Sequence, residues 1–408
     1  MTIVCWGNLA KSADDVLRIE QSMENYVSSH EQNANAHMGT TYSLGLHRVQ
    51  DILDHAFYSV RNISTYPQIR TYKAIVDPAG YGDLTDIQTA INYVNGLGGG
   101  AILVKSGTYV QTSDITLYSN IQLIGEDDDT TIIDFNETEY NMRIRGTVGT
   151  HLTNVTIENL RIEGCRRDED HAINAYYVDD LTIKKCYFTD NYRAENGGAA
   201  TYGDINTQLV TQLLIEGCRF VSSGASIVLT DINQGVAIGN YSINSNGLPF
   251  QISTCTNMRV EGNTIVTPNA NYGIQDDGNI SLFVTRNHIT EPLSAGINVS
   301  SDGNANFSDN YILGDTLMNN GIRLNNSTNN VYEGNTIVDA VDNGFYLANA
   351  DNNLILGNYI NGSGAYGISI TSSTSANNLI IANYFNGNVT GNIDDNGTTN
   401  NISNNKTI

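Results

Sequence analysis

The 408-residue chain sets 43 acidic against 20 basic side chains, for a formal net charge of −23, yet only 15% of its residues are charged. Its polarity comes instead from 54 Asn, 38 Gly and 23 Tyr. This balance excludes nucleic-acid binding, because no basic stripe could neutralise a phosphate backbone. A membrane-spanning helix is excluded because no apolar run approaches the ~20 residues a bilayer requires, and disorder by a hydrophobic content of 40%.

In chain order, the opening MTIVCWGNLAKS has no basic n-region and too short an apolar stretch for a secretory signal. Residues 1–70 read as an α-helical attachment and trimerisation module. One helix starts at Ser12-Ala13-Asp14-Asp15, with Val16, Ile19, Met23 and Tyr26 as a narrow apolar seam; a second runs from Ser43 to about Asp54. Narrow seams of this kind suit packing against other copies of the chain. Around a trimer axis, His30, His37, His47 and His55 would meet and hold a metal ion. As helix caps they would instead hydrogen-bond across a subunit interface; this is the preferred reading, and no metal site is assigned. The spacing of the stretch SSHEQNANAHMGTTYSLGLHRVQDILDHAFYSV resembles N-terminal segments of virus and phage tail proteins.

Residues 71–125 read as a capping helix and first coils. Asp83 or Thr85 can cap a helix whose apolar face is Ile87, Ala90, Ile91 and Val94, and Gly96, Gly98, Gly99 and Gly100 end it. From about residue 150 one phrase recurs, as LTIKKCYF, LLIEGCRF, VAIGNYSI, MRVEGNTI and onward to LIIANYF. Its marker residues are Cys186, Cys218, Asn240, Asn263, Asn287, Asn310, Asn335, Asn358 and Asn383, with Asn159 as an earlier copy and Asn405 as a later one. The period is about 23 residues, apart from a 32-residue step between Cys186 and Cys218. A second phrase keeps step at Gly273, Gly296, Gly321, Gly344 and Gly367.

Each repeat holds two or three short strands and no helix-length stripe. Such a unit buries its apolar face only by stacking on its neighbours. The predicted fold is therefore all-β: a single-stranded parallel β-helix over residues 126–408. Its recurrent Asn would form a side-chain amide ladder and tolerate the left-handed turn conformation. The cysteines (Cys5, Cys165, Cys186, Cys218 and Cys255) are odd in number and lack any CxxC spacing, so they read as free thiols, several of them in the core. The stretch DPAGYGDLTDIQTAINYVNGLGGGAILVKSGTYV with LYSNIQLIGED resembles the opening of right-handed β-helix proteins of the pectin-lyase superfamily. That resemblance implies a right-handed solenoid capped by a short helix. It carries no catalytic role, because the NTD, GHG, RIK and WiDH-type signatures of its best-known members are missing.

Residues pointing out of one sheet form a long shallow groove. The outward row is read as Asn174, Val228, Gln251, Gln275, Asn298, Arg323, Tyr346 and Ser369. Two residues further on, a second row holds Tyr176, Thr230, Ser253, Asp277, Ser300, Asn325 and Thr371. Amide, hydroxyl and aromatic groups of this kind match sugar hydroxyls and ring faces, so Tyr176, Tyr202, Gln251, Gln275, Asn298, Arg323 and Tyr346 are the candidate glycan contacts. A solvated β-face without a ligand would look similar. Candidate carboxylates are Asp168, Glu169, Asp170, Glu195, Asp204, Asp231, Asp276 and Asp277. Glycoside hydrolysis needs two of them about 5 to 9.5 Å apart, which selects Asp204, Asp231 and Asp277 as the candidate catalytic groups. A lyase would draw its base from Arg166, Arg167 and His171, or from the insert with Tyr192, Arg193 and Tyr202.

These features give three functional expectations. The first is a homotrimeric viral tailspike or tail-fibre protein, located in the virion. It would join other tail proteins through residues 1–70 and recognise a host cell-surface glycan. The second is a depolymerase (glycoside hydrolase or lyase) or an epimerase on an acidic glycan, against which −23 argues unless the groove is locally basic or holds Ca²⁺. The third is a structural rod. The repeat runs to the last residue, so its final coil is expected to be covered by another chain or copy.

Overall fold

The structure is a computed structural model that describes residues 72–166, 171–191, 203–221, 224–245, 247–267, 269–300 and 303–408. The chain divides at residue 70. The helices and histidines assigned to residues 1–70 therefore lie outside the described residues, as do Arg167, Asp168, Glu169, Asp170, Tyr192, Arg193, Glu195 and Tyr202.

Residues 72–408 form a parallel β-solenoid. Each coil contributes three short strands, and like strands stack into three ladders. The first ladder runs from Ile115–Thr116 to Gly391–Asp395, the second from Ala74–Val76 to Asn401–Ser403, and the third from Gly107–Val110 to Lys406–Thr407. The third ladder has 13 strands; the other two join into one 25-stranded sheet, because the strand Ile173–Lys184 passes from one to the other unbroken. Alternation buries at least one residue in every strand except the last of each ladder. In the first ladder Ile274, Ile297, Ile322, Phe345 and Ile368 are register partners, each fully buried. The second and third ladders stack aromatics within the same core. Phe307 lies 4.9 Å from Tyr332 and Phe188 lies 5.0 Å from Phe220, each pair nearly parallel. Burying each such side chain contributes about 1.5–3 kcal/mol.

The open end is closed by helix α1, Ile87–Gly96, which buries Ile87, Ala90, Ile91 and Val94 as its pattern predicts. Its cap is Asp86 rather than Asp83 or Thr85: Asp86 Oδ1 accepts from Thr89 N at 2.6 Å. Asp83 instead accepts the amide of Ile75 at 2.8 Å, tying the first strand to the helix entry.

Turns between ladders bury backbone polar groups that need partners. At the second-to-third corner, Asn240, Asn263, Asn287, Asn310, Asn335, Asn358, Asn383 and Asn405 supply them. Asn310 shows the pattern. Its Nδ2 donates to Asn335 Oδ1 at 2.9 Å and to the Val284 carbonyl at 2.8 Å, while its Oδ1 accepts from Asn287 Nδ2 and from the Asn287 amide, both at 3.0 Å. All four hydrogen-bonding positions of the side-chain amide are filled. Cys218 continues the column, its amide donating to Asn240 Oδ1 at 2.9 Å. Asn405 closes it, accepting from Asn383 at 3.0 Å. Asn159 does not belong to it: Leu160 occupies the inward position, and Asn159 precedes it with φ 54°.

That offset corrects the expected role of the ladder asparagines. The left-handed residue is the one before each of them: Gly239, Gly262, Arg286, Asp309, Gly334, Gly357, Ala382 and Asn404 all have positive φ. The left-handed residue turns the chain, and the Asn behind it points inward. A second amide column, not anticipated from the sequence, lines the first-to-second corner. There Asn353 Nδ2 donates to Asn378 Oδ1, and Asn378 Nδ2 to Asn400 Oδ1, both at 3.1 Å.

The recurrent glycines answer to close approach. A Cβ at Gly321 would sit 2.3 Å from Ile337 Cγ2, and the other four meet Ile289, Ile312, Ile360 or Phe385 at 2.4 Å. Cys165, Cys186, Cys218 and Cys255 are all buried. Burial pushes the Cys255 thiol up to about 12 and raises Cys186 as well, which leaves both inert.

Replacing Asn335 with Ala would leave the Phe307 carbonyl, the Asn310 amides and Asn358 Oδ1 short of partners. At about 1–3 kcal/mol for each unmet buried group, Asn335→Ala is expected to lower the thermal midpoint by many degrees. Thr336→Ala, one position along on the outward face, should change stability by under ~0.5 kcal/mol. Paired thermal melts followed by circular dichroism compare the two, and equal midpoints would contradict the ladder's role.

Candidate functional site

With the inward columns spent on the core, function falls to the outward ones, and each ladder presents a different chemistry. On the first ladder, register pairing runs Arg143, Asn174, Asn206, Val228, Gln251, Gln275, Asn298, Arg323, Tyr346, Ser369 and Asp394. A parallel column holds Arg145, Tyr176, Gln208, Thr230, Ser253, Asp277, Ser300, Asn325 and Ala348. Six of the seven glycan contacts named from the sequence stand in these two columns, but Asn298 is buried there, as is Asn174 of the outward row, so neither is open to a ligand; Tyr202 lies outside the described residues. Successive members are about 4.8 Å apart.

The columns are internally braced. Asn298 Nδ2 donates to Gln275 Oε1 at 2.8 Å, and Asn206 Nδ2 to the Tyr176 hydroxyl at 3.0 Å. Arg323 Nη1 donates to the Tyr272 hydroxyl at 3.4 Å, and its guanidinium lies 5.9 Å from the centre of the Tyr346 ring. Arg145 stands 5.3 Å from the Tyr176 ring. Together these make a polar strip with aromatic and cationic groups at both ends.

Arg143, Arg145, Asn206, Gln208 and Tyr272 belong to this face and were not named from the sequence. The arginines precede the first recognised repeat. Asn206 and Gln208 follow the insert that breaks the count, where a fixed period loses its place. Tyr272 sits directly before Gly273, so the glycine phrase held the signal for it.

Of the three candidate carboxylates, only Asp277 stands on this face. Asp277 is exposed and stands in the second column. Asp231 occupies the corner next to Thr230 with φ 53° and accepts from the Thr254 hydroxyl at 2.6 Å. Asp204 is fully buried and accepts from Asn191 Nδ2 at 3.1 Å. It occupies the interior position that Gly273 fills two coils further on from Ser226. A solvent-facing pair of Asp204 with Asp231 is therefore ruled out by geometry. Asp276 is likewise interior and bonded to Asn279.

His171, offered as a base, is also interior. Burial pushes its imidazole down to about 4, so it stays neutral and inaccessible at pH 7. Arg166 lies at the third-ladder corner, 3.5 Å from Glu137.

For the expected Ca²⁺, the carboxylates close enough to share an ion among the described residues are Asp127, Asp128 and Asp129. They lie at the second-to-third corner, away from the polar strip, and Arg219 pairs with two of them, 3.2 Å from Asp128 and 2.5 Å from Asp129. This trio does not fit a groove cation.

The second face is mixed, with Glu216, Arg259, Glu261, Thr285, Asn306, Ser308 and Glu333 standing among apolar side chains. Its outward positions include Leu214, Val236, Ile238, Phe283, Val331, Leu354, Leu356, Leu379 and Ile381. A shallow hollow of about 330 Å³ opens on it, floored by Leu214 and Val236. The third face has one column with Tyr241, Tyr311, Tyr359 and Tyr384, each directly after a ladder Asn, and a second with Val221, Ile243, Val266, Leu313 and Val338.

The comparisons agree with this architecture. Residues 148–312 and 265–407 match the family model for the right handed beta helix region, and the chain belongs to that family. No curated protein matches the sequence. Among solved structures, the catalytic domain of a GH87 α-1,3-glucanase superposes with a TM-score of 0.59 at 14% identity, covering 84% of this chain and 70% of that one. The periplasmic alginate epimerase AlgG gives 0.53 at 12% identity, over 76% of this chain and 77% of the other. Tailspike protein 3 of bacteriophage CBA120 gives 0.46 at 14% identity, over 81% and 59%. At these identities the likeness is one of fold, and the tailspike's score is too low to carry an argument.

The interior imidazole has a pH consequence. The folded value of His171 lies below the ordinary 6.5, so the unfolded chain takes up the proton first as pH falls. Its contribution is complete above about pH 6.5 and is lost between there and about 4, by up to about 3 kcal/mol. His171→Gln should therefore lose less thermal stability than the wild type between pH 7 and pH 4.5. Identical losses would show that His171 is not held neutral.

Proposed function

We propose that the protein recognises an extended cell-surface polysaccharide along the first-ladder face, as a viral appendage protein of the tailspike or tail-fibre type. In this reading residues 1–70 attach it to other tail proteins and assemble it as a homotrimer.

The observation that carries the recognition is the column from Asn174 to Tyr346. Its accessible members, Asn206, Gln251, Gln275, Arg323 and Tyr346, offer amide, guanidinium and phenol groups at multiples of a coil repeat close to the length of a sugar unit, with Val228 and the buried Asn298 between them. The two columns hold three arginines (Arg143, Arg145, Arg323) and two aspartates (Asp277, Asp394), which leaves the strip close to neutral within a chain of net charge −23. A neutral or weakly acidic glycan can approach it. β-Helices of the same family fold include an α-1,3-glucanase and an alginate epimerase, so the scaffold is compatible with polysaccharide ligands.

A second reading, cleavage of the bound glycan, is favoured by Asp277, the exposed carboxylate of the strip. Asp231 lies two coils earlier, about 9.6 Å along the axis. That axial component alone passes the ~9.5 Å limit for an inverting pair, so Asp231 does not complete one with Asp277.

A panel of microbial surface polysaccharides, screened by array and followed by calorimetry on the hit, tests both readings. Arg323→Ala is expected to weaken binding about tenfold, roughly 1.4 kcal/mol, whereas Tyr384→Ala on the third face should leave it unchanged. The reverse pattern would move the site to the tyrosine face. If the bound glycan shortens on incubation, Asp277→Asn should stop it; unchanged chain length with the wild type leaves recognition alone.

A further inference from the structure

We infer that the first-to-second corner of the early coils is an acid–base centre, in which His151 Nε2 is the base for β-elimination on a uronate-containing polysaccharide. The inference rests on glycan recognition along the first-ladder face, and it assigns cleavage to a centre apart from Asp277.

Backbone register assembles the corner. Arg145 ends one strand and pairs with Tyr176 of the next coil, while Leu152 pairs with Val178. Between them residues 146–150 form a tight turn, closed by hydrogen bonds of 2.9 and 3.0 Å between Thr147 and Thr150. Arg145 and His151 thereby reach consecutive tyrosines. The Arg145 guanidinium lies 5.3 Å from the centre of the Tyr176 ring, and the His151 ring lies 5.6 Å from that of Tyr177. The corner separates the polar strip, with Tyr176 and Gln208, from the hollow of about 330 Å³ that Asp180 and Gln212 line. A glycan that follows the strip to its first coils and leaves over this corner places a sugar unit on either side of the imidazole.

A carboxylate orients the ring. Asp179 Oδ1 lies 3.1 Å from His151 Nδ1 and accepts from the Thr211 hydroxyl at 2.5 Å. These two hydrogen bonds, Thr211 first, hold the Asp179 carboxyl below the usual carboxylate range, so it stays ionised and can only accept. The proton of the neutral imidazole is then on Nδ1, and Nε2 keeps its lone pair. Among the described residues Nε2 has no hydrogen-bond partner, and 33% of the His151 side chain is open to solvent. The Tyr177 hydroxyl is likewise without a partner among them, whereas that of Tyr176 holds Asn206. The charged and titratable groups at the corner are Arg145, His151, Tyr176, Tyr177, Asp179 and Asp180.

This set suits a uronate. The proton beside a carboxylate becomes removable when a cation meets the charge that develops there, a task that falls to the N–H fork of Arg145. His151 Nε2 takes the proton from C5, and the electron pair left behind forms the C4=C5 double bond. The C4–O bond to the next sugar breaks, and the Tyr177 hydroxyl gives its proton to the leaving oxygen. The imidazolium then returns its proton to the tyrosinate through solvent, which restores both groups. Nothing is oxidised or reduced and no water is consumed; one chain becomes two, of which one ends in an unsaturated uronate. Asp179 touches no substrate and is a positioning residue.

The test takes the full chain and uronate polysaccharides: alginate, polygalacturonate, hyaluronan and any uronate-bearing capsule that it binds on an array. The bound glycan should shorten and gain the ultraviolet absorbance of unsaturated ends. His151→Ala should lower kcat about a hundredfold or more with calorimetric affinity unchanged, and added imidazole should restore part of the rate. Tyr177→Phe should cost a similar factor. Asp179→Asn should lower kcat while KM and the thermal midpoint stay close to wild type. His288→Gln, at an exposed histidine of the third face, should change none of these.

A uronate glycan that is bound but left intact, or shortened without unsaturated ends, would overturn the proposal and leave recognition standing. So would full activity in His151→Ala, or binding confined to glycans without uronate. Binding to no polysaccharide at all would overturn the recognition reading, and this proposal with it. The wild-type product is read without any variant, so a variant that fails to fold does not shelter the proposal.

Discussion

Everything in this solenoid depends on how its corners dispose of buried backbone groups. A coil of three strands must turn three times, and each turn carries amides and carbonyls into an apolar interior where an unmet group costs about 1–3 kcal/mol. The asparagine columns meet that cost coil by coil. Each side-chain amide joins the turn above to the carbonyl below, as Asn310 does between Asn335 and Val284. Because the side chain supplies what a strand would otherwise supply, the chain can turn sharply without breaking the ladders on either side. Cys186 and Cys218 mark where the column begins; a thiol there packs without extending it, and Cys218 gives only its backbone amide to Asn240.

Once the corners and inward columns are fixed, the outward columns are free to differ, and they do. One face is rich in amides and hydroxyls, one mixes aliphatic with charged groups, and one sets tyrosines beside an aliphatic column. The same 4.8 Å repeat that stacks the core therefore also sets each outward chemistry in a line. A linear ligand is the kind of partner that such lines suit.

The parts of this arrangement that recur at one period are legible in the sequence. The inward Ile and Phe, the Asn column from Asn240 to Asn405, the glycines from Gly273 to Gly367 and the outward row through Gln275 and Arg323 all follow from counting. What counting misses has physical causes. The second amide column is masked because Cys255 and Ala305 stand in for Asn at two of its levels, each giving its backbone amide to the next Asn. Asn159 misleads because Asn suits both the left-handed turn and the inward ladder, and only the coordinates separate the two. Asp204 misleads for a different reason. In a regular coil its position belongs to the interior, but the insert before it removes the register that would have said so. The interior there is polar, with Ser226, Ser242 and Ser245 within 3.1 Å of one another, and a buried Asp beside Asn191 fits that setting better than a catalytic one.

The excess of carboxylates then acquires a partial structural reason. Asp180, Asp190, Asp231, Asp309 and Asp339 all hold left-handed corners, a conformation that Asp tolerates better than most residues do. Their charge falls at the edges between faces rather than on the faces, so the rod has acidic corners and nearly neutral sides along much of its length. Acidic edges resist unspecific bundling, while the sides remain approachable by a partner whose own repeat matches. The acidity that argues against a polyanionic ligand for the molecule as a whole therefore says less about the first-ladder strip, where Arg143, Arg145 and Arg323 stand among amides. On this scaffold, charge at the corners and chemistry on the faces are separate variables. Both are set by the same turn, in which a left-handed residue is followed by one that points inward.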